Sequence, residues 1–353
     1  MTCKRFRKIR IKGYNHLTDR NNSIDCFRLI CALLVVSIHT HPFEDQNELL
    51  GYIFVQVLPR IAVPFFFCVS GFYYIRQLEA GKKCILRSLF KVFKVYLVWS
   101  AIYLIVDIII SLLTSSFSFV TYLKNFIIDF IFYGTYYHLW YIIALMVSIL
   151  IVGVFFRLRI QRCLVWISIV LYFVGLLGES YYLIGNQIPS ISSFVNMPFF
   201  TEIRRVFLMG LPFFISGYFV NRFLKKMNKK CIYIFSFVSL ILFVVEIIFL
   251  HFTGLSKSIV ITLFLYPMTV CTMLCMAKHP FKSGAVLAAN CKSLADYMFF
   301  IHPFFILIAE MVFEYSNIKV INVLLYVIVV ILCIISWWVL KKIDLPFIKK
   351  YII

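Results

Sequence analysis

The sequence predicts an all-α polytopic membrane protein of about ten transmembrane helices with both termini in the cytoplasm. Three observations carry that reading. Hydrophobic residues make up 63% of the 353-residue chain and charged residues only 14%, whereas soluble globular domains hold roughly 45–50% and 25%. The mean hydropathy is +0.95, and apolar runs of about 20 residues, long enough to cross a bilayer, recur from Ile24 to the C-terminus. A transmembrane β-barrel is excluded, because its strands would alternate in polarity over about 10 residues. Finally, 28 of the 35 basic residues fall in 1–23, 76–94, 157–162, 222–230, 278–292 and 341–350. The segments between them carry acids such as Glu44, Asp45, Glu48, Glu179, Glu202 and Glu314. That alternation satisfies the positive-inside rule when the chain starts inside. The net charge of +20 therefore reads as topology, with no nucleic-acid partner implied, and leaves room for anionic lipid.

The spans are expected at 24–41, 51–75, 92–114, 136–156, 163–178, 204–224, 231–251, 258–277, 294–313 and 319–340. They divide the chain into a basic N-terminal segment, 1–23, a transmembrane domain, 24–341, and a short tail, 342–353. The N-terminal segment has no apolar stretch before Ile24 and no cleavage site after the first span, so it is expected to stay attached. Segment 120–133 is amphipathic and too short to span, which places it on the outer surface. Outer loop 179–203, with Pro189, Pro198 and several aromatics, is expected to lie over an outward-facing cavity. The 11 cysteines form no C-x-x-C pair or zinc-spaced Cys/His cluster, so they read as small packing residues and no metal site is expected.

Ionisable residues inside apolar spans are costly and mark candidate sites. In the first span Arg28 and His39 are eleven residues apart, which is three helical turns. They share one face about 16 Å apart along the axis, Arg28 toward the inside and His39 toward the outside. Arg28 also fits an interfacial anchor paired with Asp25, and His39 a packed polar residue. Arg60 lies too deep in the second span for easy snorkelling. It is expected to bind an anionic group or to pair with Asp107 or Glu202. Pro64 opens the backbone there, and Ser70-Gly71 permits close helix approach. His138 sits among Tyr136, Tyr137, Trp140 and Tyr141, in what also reads as an interfacial aromatic belt. Arg204 and Arg205 open the sixth span on the outer side, against the charge trend. Asp296 and His302-Pro303 occupy the ninth, where the histidine could satisfy a carbonyl that the proline frees. Asp107, Glu246 and Glu310 have no evident role. On the inner loop after the second span, Arg87, Lys91 and Lys94 could meet one phosphate-bearing ligand or serve as plain topology signals.

Several of these pieces together resemble the bacterial acyltransferase-3 family of integral membrane proteins. They are Ile24-Asp25-Cys26-Phe27-Arg28 with His39, the run from Pro64 to Phe72, His138-Leu139-Trp140-Tyr141, and Leu294 to Pro303 around His302. The resemblance implies ten core helices in the bacterial plasma membrane. It also implies transfer of an acyl group, often acetyl from cytoplasmic acetyl-CoA, to an extracytoplasmic glycan hydroxyl. The family's arginine–histidine pair falls on Arg28 and His39. Two departures stand out. Lys91-x-x-Lys94 stands where the family often has two arginines, which loses bidentate geometry, and Pro64 replaces the usual acid. The Arg60-x-x-x-Pro-Phe-Phe-Phe variant is similar to the membrane half of vancomycin-resistance serine racemases and to small surface-polysaccharide O-acetyltransferases. In the former a racemase domain follows the membrane half, whereas this sequence stops at Ile353.

Two functions are therefore expected. The first is an O-acyltransferase with acyl-CoA as cosubstrate and no permanently bound cofactor. Here Arg28, Arg87, Lys91 and Lys94 face the coenzyme and His39 takes the acceptor's proton. Arg60, His138, Trp140, Arg204, Arg205 and His302 serve the acceptor or the oxyanion. Tyr137, Tyr181 and Tyr182 would join Trp140 in an aromatic rim for sugar rings. The alternative is a membrane transport or binding domain for a small amino acid such as serine, its carboxylate on Arg60 or Arg204. The acyl group, the acceptor and the oligomeric state are not encoded in these patterns.

Overall fold

The structure is a computed structural model that describes residues 21–352 apart from 114–123, 125, 280–283, 317, 319 and 344. The basic N-terminal segment up to residue 20, and much of the amphipathic segment 120–133, thus lie outside the described residues. Ten principal helices form, at the ten places where the apolar runs stand. They are α1 (Asn22–Thr40), α2 (Ala62–Glu79), α3 (Ile85–Leu113), α4 (Trp140–Arg157), α5 (Cys163–Gly178), α6 (Leu211–Lys226), α7 (Lys229–Thr253), α8 (Leu265–Lys278), α9 (Ala285–Tyr315) and α10 (Asn322–Lys342). Among the described residues eight helical stretches are long and apolar enough to cross a membrane, including Glu48–Glu79 and Phe200–Lys226, which extend α2 and α6 backward. α5 is a shorter apolar helix of 16 residues. The run expected to span at 258–277 is helical only from Leu265, because residues 254–264 form an irregular segment.

Local chemistry fixes the ends of α1. The Asn21 side chain accepts from the amides of Ser23 at 3.0 Å and Ile24 at 3.2 Å, the usual way to satisfy orphaned N-terminal donors. The helix closes at His41, whose backbone turns left-handed at φ 51° and donates to the Ser37 carbonyl. α1 then packs against α9, α2 and α10, burying Ile24, Cys31, Ala32, Val35 and Val36. In a bilayer such interfaces depend on close packing, since lipid tails are as apolar as the side chains. The tightest crossing is α2 on α6. A Cβ on Gly71 would lie 1.8 Å from the Phe214 carbonyl oxygen, and one on Gly217 would lie 2.2 Å from the Phe72 nitrogen. Only glycine fits, as Ser70-Gly71 led one to expect.

Three departures from α geometry position polar residues. Before α2 the chain runs through a π turn at Ile53–Val57 and a 3-10 turn at Leu58–Ile61. Pro59 lacks the N–H an α ladder needs. The break expected at Pro64 therefore falls earlier, and Pro64 sits in the first turn of α2, where its missing donor costs nothing. A second π segment, Arg204–Gly210, precedes α6. A third, Asp129–Tyr133, leads to Gly134 at φ 89° and the turn that brings His138 in before α4. Such π turns recur at functional sites, and here each one leads into or contains residues of a single cavity.

The acid on α7 has a structural role. The irregular segment ahead of α8 would strand backbone donors in an apolar layer. Buried Glu246 accepts from the amides of Leu263 at 2.6 Å and Phe264 at 2.8 Å, and from the Tyr181 hydroxyl at 2.8 Å. It is a side-chain cap for α8 supplied by the neighbouring helix.

Candidate functional site

A cavity of about 260 Å³ opens at the His39 end of α1. The 3-10 turn brings in Arg60, the π segment brings Arg204 and Arg205, and the turn after Gly134 brings Tyr137 and His138. Trp140 and Tyr141 of α4 and Phe299 of α9 complete its aromatic wall. Residues far apart in sequence are thus gathered around one cavity. Loop 179–203, expected above the cavity, contributes none of its lining. Tyr181 bonds Glu246 instead, and Tyr182 donates to Asn196 at 3.1 Å.

Three histidines from three parts of the chain meet at the cavity's inner wall. The His39 and His302 rings stack with centroids 5.4 Å apart and 26° between planes. His138 meets His302 edge-on at 5.6 Å, and Tyr137 lies 4.8 Å from His39. His302, fully buried, places Nδ1 2.9 Å from the Met298 carbonyl. A carbonyl only accepts, so Nδ1 carries the hydrogen and Nε2 keeps a free lone pair. That Nε2, and both ring nitrogens of His138, are buried with no hydrogen-bond partner. Leaving such atoms unpaired costs free energy in a low-dielectric interior, which a catalytic role would explain. Of the three rings His39 and His138 line the cavity, while His302 stands behind them. Among the described residues no group of three His, Cys, Asp or Glu side chains is placed to hold a metal ion.

The arginines differ from expectation. Arg60 was expected either to bind an anionic group or to pair with Asp107 or Glu202; it makes no ion pair among the described residues, which leaves the first alternative. Its Nε donates to the Gln56 carbonyl at 2.9 Å, and its terminal amine to the Gln56 side chain, one turn back. The neutral Gln56 takes two of its donors without an ion-paired carboxylate. Arg204 pairs with Glu179, a carboxylate only 3% exposed, at 2.6 Å, and Ser258 donates to the other oxygen of that carboxylate. Glu179 is the functional-site residue that sequence reading missed. Its signal was an acid at the junction of α5 and the following loop, lost among the other outer acids. Arg205 lies over the Trp140 ring, 5.5 Å from its centroid.

At the other end of α1, Arg28 faces Asp296 of α9 at 3.8 Å, and Lys292 bonds that same carboxylate at 2.8 Å. Arg28 lines two further cavities. One, of about 140 Å³, runs between Phe66, Ser70, Tyr141, Asp296 and Phe299. The other, of about 350 Å³, is open and bordered by Asp25, Tyr73 and Lys292. Arg28 is common to these two, and Tyr141 and Phe299 are common to the small one and the His39 cavity. The three cavities therefore lie in series along α1, interrupted where Tyr141 and Phe299 meet with centroids 5.2 Å apart. Arg87, Lys91 and Lys94 are exposed on α3 and line none of the three. Lys292 borders the open cavity beside Arg28, and Lys91 acts on the same Asp296 carboxylate from α3.

Residues 21–342 match the family described as an acyltransferase domain, numbered three among its kind. The chain belongs to the acyltransferase-3 family. An amino-acid racemase of Enterococcus faecalis is 31% identical over 243 residues, covering 67% of this chain and 34% of that protein. A serine/alanine racemase of Enterococcus gallinarum is 25% identical over 335 residues, covering 89% of this chain and 45% of that protein. This acyltransferase-3 chain thus spans less than half the length of the relatives it matches. No solved structure matches it. The family match runs through both ends of the cavity series, since Arg28, His39, His138 and His302 all fall inside it.

Proposed function

We propose that the protein transfers an acyl group, acetyl by the family's pattern, from acyl-CoA at the Arg28 end of α1 to a glycan hydroxyl at the His39 end. The cavities in series along α1 carry this reading. A long, thin, uncharged pantetheine arm suits a narrow path past Ser70, with the coenzyme's phosphates left near Arg28 and Lys292. The acceptor hydroxyl gives its proton to His39 as its oxygen attacks the thioester carbonyl. The C–S bond then breaks, and the departing sulfur takes the proton back from His39, so that the coenzyme leaves as its neutral thiol toward the cationic end. His39 is suited to this because a neutral imidazole offers a lone pair for the proton and because it lines the cavity. Arg60, charged and without a carboxylate, stabilises the oxyanion. Arg204 is less suited, since Glu179 already offsets its charge. The deciding experiment follows radiolabelled acetyl-CoA with the purified protein in lipid nanodiscs. Label is expected to appear on a polyhydroxyl acceptor, and only in the presence of protein.

A second reading is favoured by the racemase names of the relatives and by the arginines of the His39 cavity. In it the domain binds a small amino acid such as serine through its carboxylate. Saturable protection by serine together with inertness toward acetyl-CoA would select it.

Two further outcomes follow from the first reading. With the Arg28 end in the cytoplasm, a cysteine-reactive probe added outside cells should label Asn47→Cys and Ser192→Cys and miss Lys83→Cys and Lys229→Cys. Labelling at Lys83→Cys reverses the direction of transfer. Coenzyme affinity should fall about 10-fold or more in Arg28→Gln, which removes a charged contact beside a cavity. The Lys91→Gln, Lys94→Gln pair should weaken it less, and only at low salt, because exposed charges are screened. Equal, salt-independent loss in both would move the coenzyme onto α3.

A further inference from the structure

The wall of the His39 cavity includes three guanidinium groups, from Arg60, Arg204 and Arg205, and no carboxylate. One of the three is balanced from behind, by Glu179 on Arg204 at 2.6 Å. Arg60 is bonded only to the neutral Gln56. Arg205 has the face of Trp140, 5.5 Å away, as its neighbour; the Glu202 carboxylate, one turn before it, is the nearest source of opposite charge, but it makes no ion pair with Arg205 among the described residues and does not line the cavity. Two of the three cations therefore have no ion-paired carboxylate among the described residues, in a partly closed chamber at the end of apolar helices, where weakly matched charge is costly.

The proposed reaction does not relieve this. Proton transfer to His39 creates one positive charge while the tetrahedral oxygen gains one negative charge, so the chamber's net charge is unchanged throughout. A neutral acceptor would leave the excess in place at every step. Arg60 has the oxyanion to answer, but Arg205 has no partner in the chemistry. We infer that the acceptor is itself an anion, a hydroxyl compound bearing a carboxylate or phosphate, whose charge is held by Arg205 over Trp140 while its hydroxyl faces His39. The arrangement is chemically economical. The guanidinium fork binds either oxyanion in two-pronged fashion, and the indole face gives an adjoining sugar or polyol a flat apolar support. Neutral hexoses would gain only the second contact. The inference rests on the chamber being the acceptor site, as proposed above.

The test needs no acyl-CoA. Thermal stability of the intact chain in detergent is followed against glucuronate and glucose, and against glycerol 3-phosphate and glycerol. The anionic member of at least one pair should raise the melting temperature saturably where its neutral counterpart does not, and which pair responds distinguishes carboxylate from phosphate. Arg205→Gln should weaken the responding anion about 10- to 100-fold, the usual loss for a charged hydrogen bond. Arg222→Gln, a surface arginine paired with Glu79 at 3.3 Å, should leave it unchanged. Equal protection by neutral and anionic probes, no protection by either anion, or full affinity in Arg205→Gln would each overturn the inference. The wild-type comparison stands even where a variant fails to fold. Anion binding in a protein that never consumes acyl-CoA would uphold the anion site and remove the acyl-transfer reading; transfer to glucose as readily as to glucuronate would do the reverse.

Discussion

His39→Ala is expected to lower acyl transfer by about 10²–10⁴-fold, the usual loss when a general base is removed, while acyl-CoA still binds at Arg28. His39→Gln should fail as well, since an amide keeps a hydrogen bond but takes no proton at neutral pH. The control is His41, two residues on. Its ring bonds Glu44 at 2.7 Å and is largely exposed, away from the cavity. Because His41 closes α1 in a left-handed conformation, asparagine is a better replacement than alanine, which would add about 1 kcal/mol of backbone strain. Full transfer by His39→Ala would remove His39 as the base. Equal loss at His39 and His41, tracking the amount of folded protein, would make both structural.

The second large effect is on stability. Glu246→Leu should leave little folded protein, because three buried donors lose their acceptor together. Each stranded donor costs about 1–3 kcal/mol, and a typical domain has only about 5–15 kcal/mol in total. Glu246→Gln keeps one acceptor oxygen but turns an NH₂ toward another donor, so its melting temperature should fall between wild type and leucine. Glu310→Gln, at an exposed position on α9, should melt like the wild type. Size-exclusion profiles and thermal unfolding in detergent read both. A Glu246→Leu protein that melts normally would mean the α8 entry finds other partners.

Helix number, the α1 stripe and the glycine contact of α2 on α6 were legible in the sequence because each depends on local pattern. Apolar length sets a span, an eleven-residue spacing sets a shared face, and a small residue sets a close approach. Partner choice was not legible. Arg60 could be matched on paper with any distant acid, yet its guanidinium turns back on Gln56 because the 3-10 turn at Pro59 aims it along its own helix. The same limit hid Glu179 behind Arg204 and Lys292 beside Asp296. The meeting of His39, His138 and His302 was half legible: each stood out as a polar residue in an apolar stretch, but their stacking depends on a π turn and a left-handed glycine that no periodicity reports.

The ring contact of Tyr141 with Phe299, closed on one side by Phe66 at 6.0 Å, has an electrical consequence. Cavities carrying arginines lead to it from both directions, so where water fills them a membrane voltage drops mainly across these few side chains rather than across the full bilayer. A unit charge forced through would meet nearly the whole field, about 2.3 kcal/mol per 100 mV. A thioester arm crosses as a neutral chain and meets none of it. Turnover by acyl transfer should therefore be indifferent to an imposed potential in proteoliposomes, and the aromatic septum is what keeps such a pathway from short-circuiting the cell's ion gradient.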